Sequence, residues 1–283
     1  MHNPSLASHD DINLLDLWQI LARRKWWVLG LPLLAVISAV VAVTFMKPQW
    51  EAKAAIRVGM VGQAGQAGQA IEPSARIVER MKLKSFEDAV LVQLGLLGEK
   101  TSEVALFRSG LKVKALPNTD LIELKVRGYS QESAERFALA TVGYLQHIHN
   151  EMSASTVQRT KQLLAQVERE LAQTRAEREK ALQIESLKDK VITEANFMGN
   201  IVLANIMLKR DNELRGLELA KMSYEEQLDP MRTYPTSYME KISVSDGPVA
   251  PKKALIVLMA GVLGLFFGVM AVFLSNAFQV RSY

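Results

Sequence analysis

The sequence WWVLGLPLLAVISAVVAVTFM at residues 26–46 and the sequence ALIVLMAGVLGLFFGVMAVFLSNAFQV at residues 254–280 contain no charged side chain. A helix needs about 20 apolar residues to cross a hydrocarbon core of roughly 30 Å. Both stretches reach that length and are apolar on all faces, unlike the one-sided helices of a soluble core. They predict two transmembrane helices, at 26–46 and 254–276, on either side of a polar segment.

The first stretch begins with a basic and aromatic cluster. Aromatic rings next to basic residues are typical of the boundary between membrane and water. The cluster is therefore predicted to anchor the first helix, and it consists of Arg23, Arg24, Lys25, Trp26 and Trp27. A cleaved signal peptide is the weaker alternative, because its apolar run would be shorter, at about 7–15 residues. Basic residues flank both stretches on both sides, so counting charges leaves the orientation open.

Three glycines divide the second stretch at intervals of three and four residues, namely Gly261, Gly264 and Gly268. Small residues at this spacing let two membrane helices approach closely, and residues 264–268 form a GxxxG element. We predict a packing face that contacts the first helix or a partner protein, with chance enrichment of glycine as the alternative. Pro248 and Pro251 are predicted to stiffen the approach to this stretch, because proline fixes φ and lacks a backbone donor.

The composition excludes several classes of protein. The chain has 283 residues, no cysteine and a net charge of +4 from 34 basic and 30 acidic residues. Without cysteine there is no disulfide, no cysteine metal site and no cysteine nucleophile. Acidic and basic residues are mixed rather than gathered into a basic stripe with aromatic residues, so we expect no nucleic-acid binding.

The sequence contains none of the common catalytic or metal-binding motifs. The nearest to a phosphate loop is GLLGEKT at 95–101, where Glu99 separates Gly98 from Lys100 and would repel a phosphate. His147 and His149 lie two residues apart on a predicted helix and therefore point in different directions, so they are interpreted as solvated residues rather than metal ligands. We expect no enzymatic activity, no catalytic residue, no cofactor and no metal.

The polar segment begins with a pattern of strands and one helix. Hydrophobic alternation with a period of two predicts strands at 50–60, 111–116, 121–127 and 238–244. A helical pattern covers 73–94, and the Gly-Gln-Ala triplets at 62–70 predict a flexible loop. Since predicted strands lie at both ends of the segment, we expect them to share one sheet near the bilayer.

A long helix follows, with Ser130 as its predicted N-cap. No proline and only Gly143 interrupt the sequence to about residue 190, and such a helix would span on the order of 90 Å. Beyond residue 151, apolar residues recur in a narrow seam typical of helix pairing, without a strict heptad. The predicted packing residues are Leu164, Val167 and Leu171 on the outgoing helix, and Leu214 and Leu217 on the returning helix. A bend is predicted at 197–200, with one continuous helix as the alternative.

Two segments resemble the Wzz-type polysaccharide co-polymerases, the chain-length determinants of bacterial surface polysaccharides. Residues 11–26, DINLLDLWQILARRKW, are similar to the family's amphipathic first helix and basic anchor. Residues 248–255, PVAPKKAL, are similar to the proline-rich segment before the family's second membrane helix. The second match consists of Pro248, Pro251, Lys252 and Lys253 with their neighbours. With its two predicted spans, the chain resembles the family over its whole length.

The resemblance implies an α+β membrane protein of the bacterial inner membrane, with both termini in the cytoplasm. Two transmembrane helices would flank a periplasmic α/β base with a long helical, coiled-coil-like stalk. The implied divisions are a cytoplasmic amphipathic segment at 1–25, a transmembrane helix at 26–46, a membrane-proximal α/β part at 47–129, the stalk at 130–229, a returning strand and proline-rich segment at 230–253, a transmembrane helix at 254–276 and a cytoplasmic tail at 277–283.

The resemblance also implies a function without enzymatic chemistry. Protomers would form a ring, a homo-oligomer that sets the chain length of a lipid-linked surface polysaccharide such as O-antigen, capsule or exopolysaccharide. Its partners would be a separate polymerase in the same membrane and the lipid-linked glycan itself. Larger relatives carry a tyrosine-kinase domain after the second span, and the short tail here leads us to expect no such activity.

Two other functions fit parts of the sequence. The first is a membrane activator or adaptor of a separately encoded tyrosine kinase in polysaccharide export, with Tyr283 in the tail as part of a switch. The second is an export-machine adaptor with a coiled-coil hairpin, for which stricter heptads would be expected. Basic stalk residues are interpreted as a solvated helix face rather than as glycan contacts; they are Arg169, Arg175, Arg178 and Lys188.

Overall fold

The structure, a computed structural model, describes residues 25–99, 101–117, 119–188 and 194–280. The predictions for Arg23, Arg24, Tyr283 and the amphipathic segment at 1–24 lie outside these residues. The helices are α1 (Lys25–Phe45), α2 (Ser74–Met81), α3 (Lys84–Gln93), α4 (Ser102–Gly110), α5 (Gln131–Lys188), α6 (Glu194–Leu228) and α7 (Lys253–Val280). The strands are β1 (Trp50–Arg57), β2 (Met60–Gln63), β3 (Gln66–Ala70), β4 (Lys112–Ala115), β5 (Leu121–Gly128), β6 (Ser237–Tyr238) and β7 (Ser243–Val244).

The chain divides into two compact units, one made of its two terminal segments and one made of Glu51–Val244. In the terminal unit, α1 and α7 pack along each other. Both are long and apolar enough to cross a membrane, over Lys25–Phe45 and Lys253–Ser275. The hydroxyls of Ser38 and Thr44 donate to backbone carbonyls three or four residues earlier in α1. These two polar groups therefore need no water as a partner.

The second unit contains a sheet whose strands follow the order β4-β5-β1-β6, with β7 also paired to β1. The β4–β5, β1–β6 and β1–β7 pairs are antiparallel. The prediction that strands from both ends of the polar segment share one sheet is therefore confirmed. The predicted strand at 238–244 is wrong in detail, because two short strands, Ser237–Tyr238 and Ser243–Val244, replace it.

The core lies between one face of this sheet and the helices packed on it. Alternate residues of β5 are fully buried, as the period-two pattern predicts, and α4 and α5 pack against that strand. The rings of Phe107 on α4 and Phe137 on α5 lie 5.2 Å apart between their centroids. The helix α4 was not predicted, and Thr101 caps it by accepting a hydrogen bond from the Val104 N–H.

The predicted single helix at 73–94 is wrong, because α2 ends at Met81 and α3 begins at Lys84. Leu83 has an extended backbone between them. The buried residues explain the break: Met81 on α2 and Phe86 on α3 both face the core. Five residues along one helix would turn them about 140° apart, so a continuous helix could not bury both.

The Gly-Gln-Ala triplets form a hairpin rather than the predicted flexible loop. Strands β2 and β3 pair antiparallel, with a turn in which Gly65 has a φ of 68°. A positive φ is open to glycine at little cost, so Gly65 suits this position. The triplet pattern carries little apolar alternation, and the hairpin is therefore difficult to detect from the sequence.

The long helical segment is a pair of packed helices, α5 and α6. Ser130 caps α5 as predicted, since its hydroxyl accepts a hydrogen bond from the Ser133 N–H. The predicted bend at 197–200 is wrong, because these residues lie inside α6, which begins at Glu194. The order of the ion pairs shows that the two helices run antiparallel. Glu168 pairs with Lys221, whereas Arg178, further along α5, pairs with a residue that comes earlier in α6, Asp211.

Candidate functional site

The predicted glycine face of α7 lies against α1. A Cβ atom added to Gly264 would lie 2.6 Å from the Pro32 Cα, and one added to Gly268 would lie 3.0 Å from the Trp27 carbonyl oxygen. Gly264 and Gly268 are buried, and Gly261 is half-buried beside Val36. The two backbones approach so closely that larger side chains at 264 and 268 cannot be accommodated without movement.

The remaining predicted membrane residues lie at the ends of these helices. Lys25, Trp26 and Trp27 form the first turn of α1, and the two indole side chains are 80% and 58% exposed. Pro248 and Pro251 precede α7, and Lys252 and Lys253 are exposed at its start. Between the two segments, Gln49 donates a backbone hydrogen bond to the Ala250 carbonyl and accepts one from Val249.

The pair of helices α5 and α6 has a seam with seven-residue periodicity. Buried or half-buried positions recur every three or four residues along both helices. On α5 they are Val157, Thr160, Leu164, Val167, Leu171, Thr174 and Arg178, and on α6 they are Met207, Arg210, Leu214, Leu217, Lys221, Tyr224 and Leu228. All five predicted stalk residues are members of this seam. Polar residues occupy several positions, which explains why the sequence shows no strict apolar heptad.

Ion pairs line the same seam. The Arg178 guanidinium lies 2.7 Å from the Asp211 carboxylate, and the Arg210 guanidinium lies 2.8 Å from that of Glu177. Lys221 also pairs with Glu168 across the two helices. Such pairs contribute little to stability at a surface, but they select one alignment of the helices. Arg178 is therefore engaged within the hairpin, in contrast to the solvated face that we predicted for it.

A buried polar cluster joins α5 to segments from both ends of the second unit. The Glu72 carboxylate is fully buried and accepts two close hydrogen bonds from Arg80, at 2.9 and 3.0 Å. His149 is also fully buried, with its Nε2 atom 3.5 Å from Glu72 and its Nδ1 hydrogen-bonded to the Thr236 hydroxyl. That hydroxyl accepts a hydrogen bond from the Gly59 N–H. The interpretation of His149 as a solvated residue is therefore wrong.

The two ring nitrogens of His149 face different groups. Nδ1 contacts the Thr236 hydroxyl, and Nε2 faces the Glu72 carboxyl group that Arg80 contacts. A neutral ring with its hydrogen on Nε2 and with Nδ1 accepting from Thr236 suits this arrangement. At 3.5 Å the Nε2 contact is longer than a normal hydrogen bond. The cluster thus connects α2, α5 and the segment that returns to β6.

Part of this cluster could have been found in the sequence. His149 continues the apolar stripe of Ala138, Val142 and Leu145 at helical spacing, which places it on the buried face of α5. Glu72 offers no such signal, since it lies between a short strand and a proline. Its burial depends on Arg80, which lies eight residues further on, and on α5, which is distant in the chain.

The cluster predicts a dependence of stability on pH. Burial lowers the pKa of His149, the Arg80 charge lowers it further, and the nearby Glu72 opposes both. The unfolded chain binds a proton on this side chain near pH 6.5 and the folded chain only at lower pH. We therefore expect the melting temperature to fall as the pH decreases from about 7 to about 5. His149→Gln should flatten this dependence, whereas His147→Gln, at an exposed site, should leave it unchanged.

The β2–β3 hairpin lies against the segment that follows α6. A Cβ atom added to Gly62 would overlap the Gln227 carbonyl oxygen, and one added to Gly68 would lie 2.6 Å from that of Arg232. The Gly62 N–H donates to the Thr233 hydroxyl, and the Arg232 guanidinium donates to the Gln66 carbonyl. The glycines therefore permit a backbone contact that closes the base of the helical hairpin.

This contact gives a prediction with a matched control. Gly62→Ala should lower the free energy of unfolding by about 1–3 kcal/mol, because the new methyl group overlaps the Gln227 carbonyl. Gly216→Ala on α6 meets no atom within 4 Å and should raise it by about 0.5–1 kcal/mol through helix propensity. Denaturant unfolding followed by circular dichroism measures both, and equal effects of the two substitutions would contradict the role of Gly62.

Among the described residues, no group of three or more histidine, aspartate or glutamate side chains is arranged to hold a metal ion. The features of the described part are thus packing faces, a paired-helix seam and a buried ionic cluster.

Comparison with known proteins gives two family matches. Residues 10–94 match the model Wzz, described as "Chain length determinant protein". Residues 239–277 match the model GNVR, described as "G-rich domain on putative tyrosine kinase". No curated protein matches the chain.

Two solved structures show similarity at low sequence identity. One is a full-length bacterial polysaccharide co-polymerase, with 18% identity, a TM-score of 0.43 and coverage of 96% of this chain and 99% of that chain. The other is a mutant of the Shigella flexneri lipopolysaccharide O-antigen chain-length regulator, with 14% identity, a TM-score of 0.23 and coverage of 72% and 100%. Through the match at residues 10–94, the resemblance of this chain to the Wzz-type chain length determinants is confirmed.

Proposed function

We propose that this protein regulates the chain length of a lipid-linked surface polysaccharide, as an oligomer in the bacterial inner membrane acting with a separate polymerase. The observation that carries the proposal is the match of residues 10–94 to a chain length determinant. The two apolar helices support the proposal. One precedes the second unit in the sequence and the other follows it, as expected for a main domain that is anchored in a membrane at both of its chain ends.

The proposal assigns roles to the parts of the chain. Lys25, Trp26 and Trp27 anchor α1 at the cytoplasmic surface, and the segment from Pro248 to Lys253 leads from the periplasm into α7. The glycine face keeps the two spans together. The α5–α6 pair projects as the stalk, and at about 1.5 Å per residue the 58 residues of α5 extend about 87 Å. The regulator acts by contact and position, without a chemical step.

The test is the length distribution of the surface polysaccharide in a deletion strain and after complementation. A regulator of chain length should give a clustered band pattern on a gel, and its deletion should give unregulated lengths while polymer is still made. Restoration of the cluster by the intact gene completes the expected result. An unchanged pattern in the deletion strain would refute the proposal.

A second function has a specific observation in its favour, the match of residues 239–277 to a G-rich domain named for tyrosine kinases. In that case the chain activates a separately encoded kinase for polysaccharide export. Deletion would then abolish polymer together with phosphotyrosine on the partner kinase, whereas the first function predicts polymer of altered length.

A further inference from the structure

The face of the main sheet opposite the core is lined by charged side chains, and we call it the basic face. Its members are Glu51, Lys53 and Arg57 on β1, Lys112 and Lys114 on β4, and Glu123, Lys125 and Arg127 on β5. All six basic side chains are half-buried or exposed. The face has six basic and two acidic side chains, which give it a net charge of +4. The entire chain has the same net charge.

The two acids do not neutralise the face. Glu123 pairs with Lys125 at 2.9 Å. Glu51 is shared between Arg127 at 3.5 Å and Lys53 at 3.9 Å. Among the residues that the structure describes, Lys112 and Lys114 have no ion pair within 4.0 Å.

The register of the sheet places two like charges together at one position. Lys112 lies directly opposite Lys125 in the β4–β5 pair, whereas Lys114 lies opposite Glu123. Like charges at directly opposed positions destabilise a sheet. Lysines on an edge strand protect against aggregation, which accounts for those on β4. Protection of an edge does not account for the four basic side chains on β5 and β1, because these strands lie inside the sheet. A bound polyanion would relieve this repulsion.

We propose that the basic face binds an anionic polysaccharide. This inference rests on the proposed function. It adds that the glycan is acidic and that it binds to this face of the sheet. Neighbouring strands lie about 4.8 Å apart and alternate residues of one strand about 6.8 Å apart, so the bases form a grid that an extended acidic chain can follow.

The chemistry of the face favours a glycan over other polyanions. On β1, β4 and β5 the face carries no exposed large apolar side chain. Met239, whose N–H donates to the Ala55 carbonyl, is exposed at its edge, and the Arg57 guanidinium lies over the half-buried Tyr234 ring. A surface that inserts into a lipid bilayer combines bases with apolar side chains, and a surface for single-stranded nucleic acid combines them with stacking aromatic residues. The basic face offers charge and hydrogen-bond donors, which suit carboxylate groups on a hydrated polymer.

The experiment uses the full chain in nanodiscs of neutral phosphatidylcholine at low ionic strength, with polygalacturonate as the acidic polymer and dextran as the neutral one. The wild-type protein should bind polygalacturonate but not dextran, and salt should weaken the binding. The double variant K112Q/K114Q removes two unpaired charges and should weaken binding about tenfold. The matched variant R159Q/K161Q removes the same charge from exposed positions on α5 and should bind like the wild type.

Three results would overturn the inference. They are no binding by the wild type, equal weakening in both double variants, and binding to phosphatidylglycerol vesicles in place of polygalacturonate, which would make the face a membrane surface. The proposed function is tested separately by the gel of polysaccharide lengths. The complemented strain could have normal polysaccharide lengths while the purified protein does not bind polygalacturonate. That pair of results would reject this inference and leave the proposed function standing.

Discussion

Arg80→Met should lower the free energy of unfolding by about 3 kcal/mol, because it leaves the Glu72 carboxylate buried without its partner. Glu72 has no exposed surface, and Arg80 contacts both of its oxygens. Breaking a buried ion pair from one side costs about 3–5 kcal/mol, and the lower figure applies here because the Arg80 side chain is 35% exposed to water. Thermal and denaturant unfolding of the full chain measure the loss.

The control for this prediction is Arg76→Met on the same helix. Arg76 is exposed, so its replacement should change stability by less than about 0.5 kcal/mol. Adding Glu72→Gln to Arg80→Met should restore much of the loss, because the neutral amide removes the unpaired charge and still faces His149. If Arg80→Met is no worse than Arg76→Met, or if the second substitution restores nothing, the ion pair does not stabilise the fold as described.

The same substitution tests the link to His149. Burial lowers the pKa of His149 most strongly, the Arg80 charge adds a smaller lowering, and Glu72 opposes both. Without Arg80, the imidazolium becomes the remaining cation beside the carboxylate, so the pKa of His149 should rise relative to the wild type. The loss of stability caused by Arg80→Met should then be smaller at low pH than at neutral pH.

The features that the sequence predicts correctly depend on local periodicity. The two apolar helices follow from uncharged runs, and the β4–β5 hairpin follows from alternation on both sides of a short turn. The seam of the α5–α6 pair was predicted through Leu164, Leu171 and Leu214, although its polar members hide the full repeat. In each case a stretch of neighbouring residues carries enough pattern to define the element.

The features that the sequence does not predict depend on contacts between separate elements of the fold. Gly62 looks like part of a flexible loop until the Gln227 carbonyl is placed beside it. Glu72 looks like a surface residue until Arg80 and His149 enclose it. The break between α2 and α3 arises because Phe86 must face the core, which no local propensity specifies. Tertiary contacts therefore override the local pattern at each of these sites.

The double variant Gly264→Leu, Gly268→Leu should separate α7 from α1. Each new side chain meets backbone rather than a movable side chain, at Pro32 and at Trp27, so the overlap costs about 1–3 kcal/mol at each site. Because the chain has no cysteine, a pair introduced by Val36→Cys and Gly261→Cys reports the contact without background. The disulfide-linked fraction should fall about tenfold or more in the leucine variant.

Gly30→Leu provides the control, because Gly30 lies in α1 and meets no atom within 4 Å. It adds one leucine side chain to the same helix pair and should leave the cross-link intact. If the proposed function is right, the leucine variant should also lose the clustered polysaccharide lengths, since the two spans hold the second unit at both of its chain ends. An intact cross-link in the leucine variant would show that the glycines are dispensable for packing. A lost cross-link with normal polysaccharide lengths would instead separate the packing of α1 and α7 from the control of chain length.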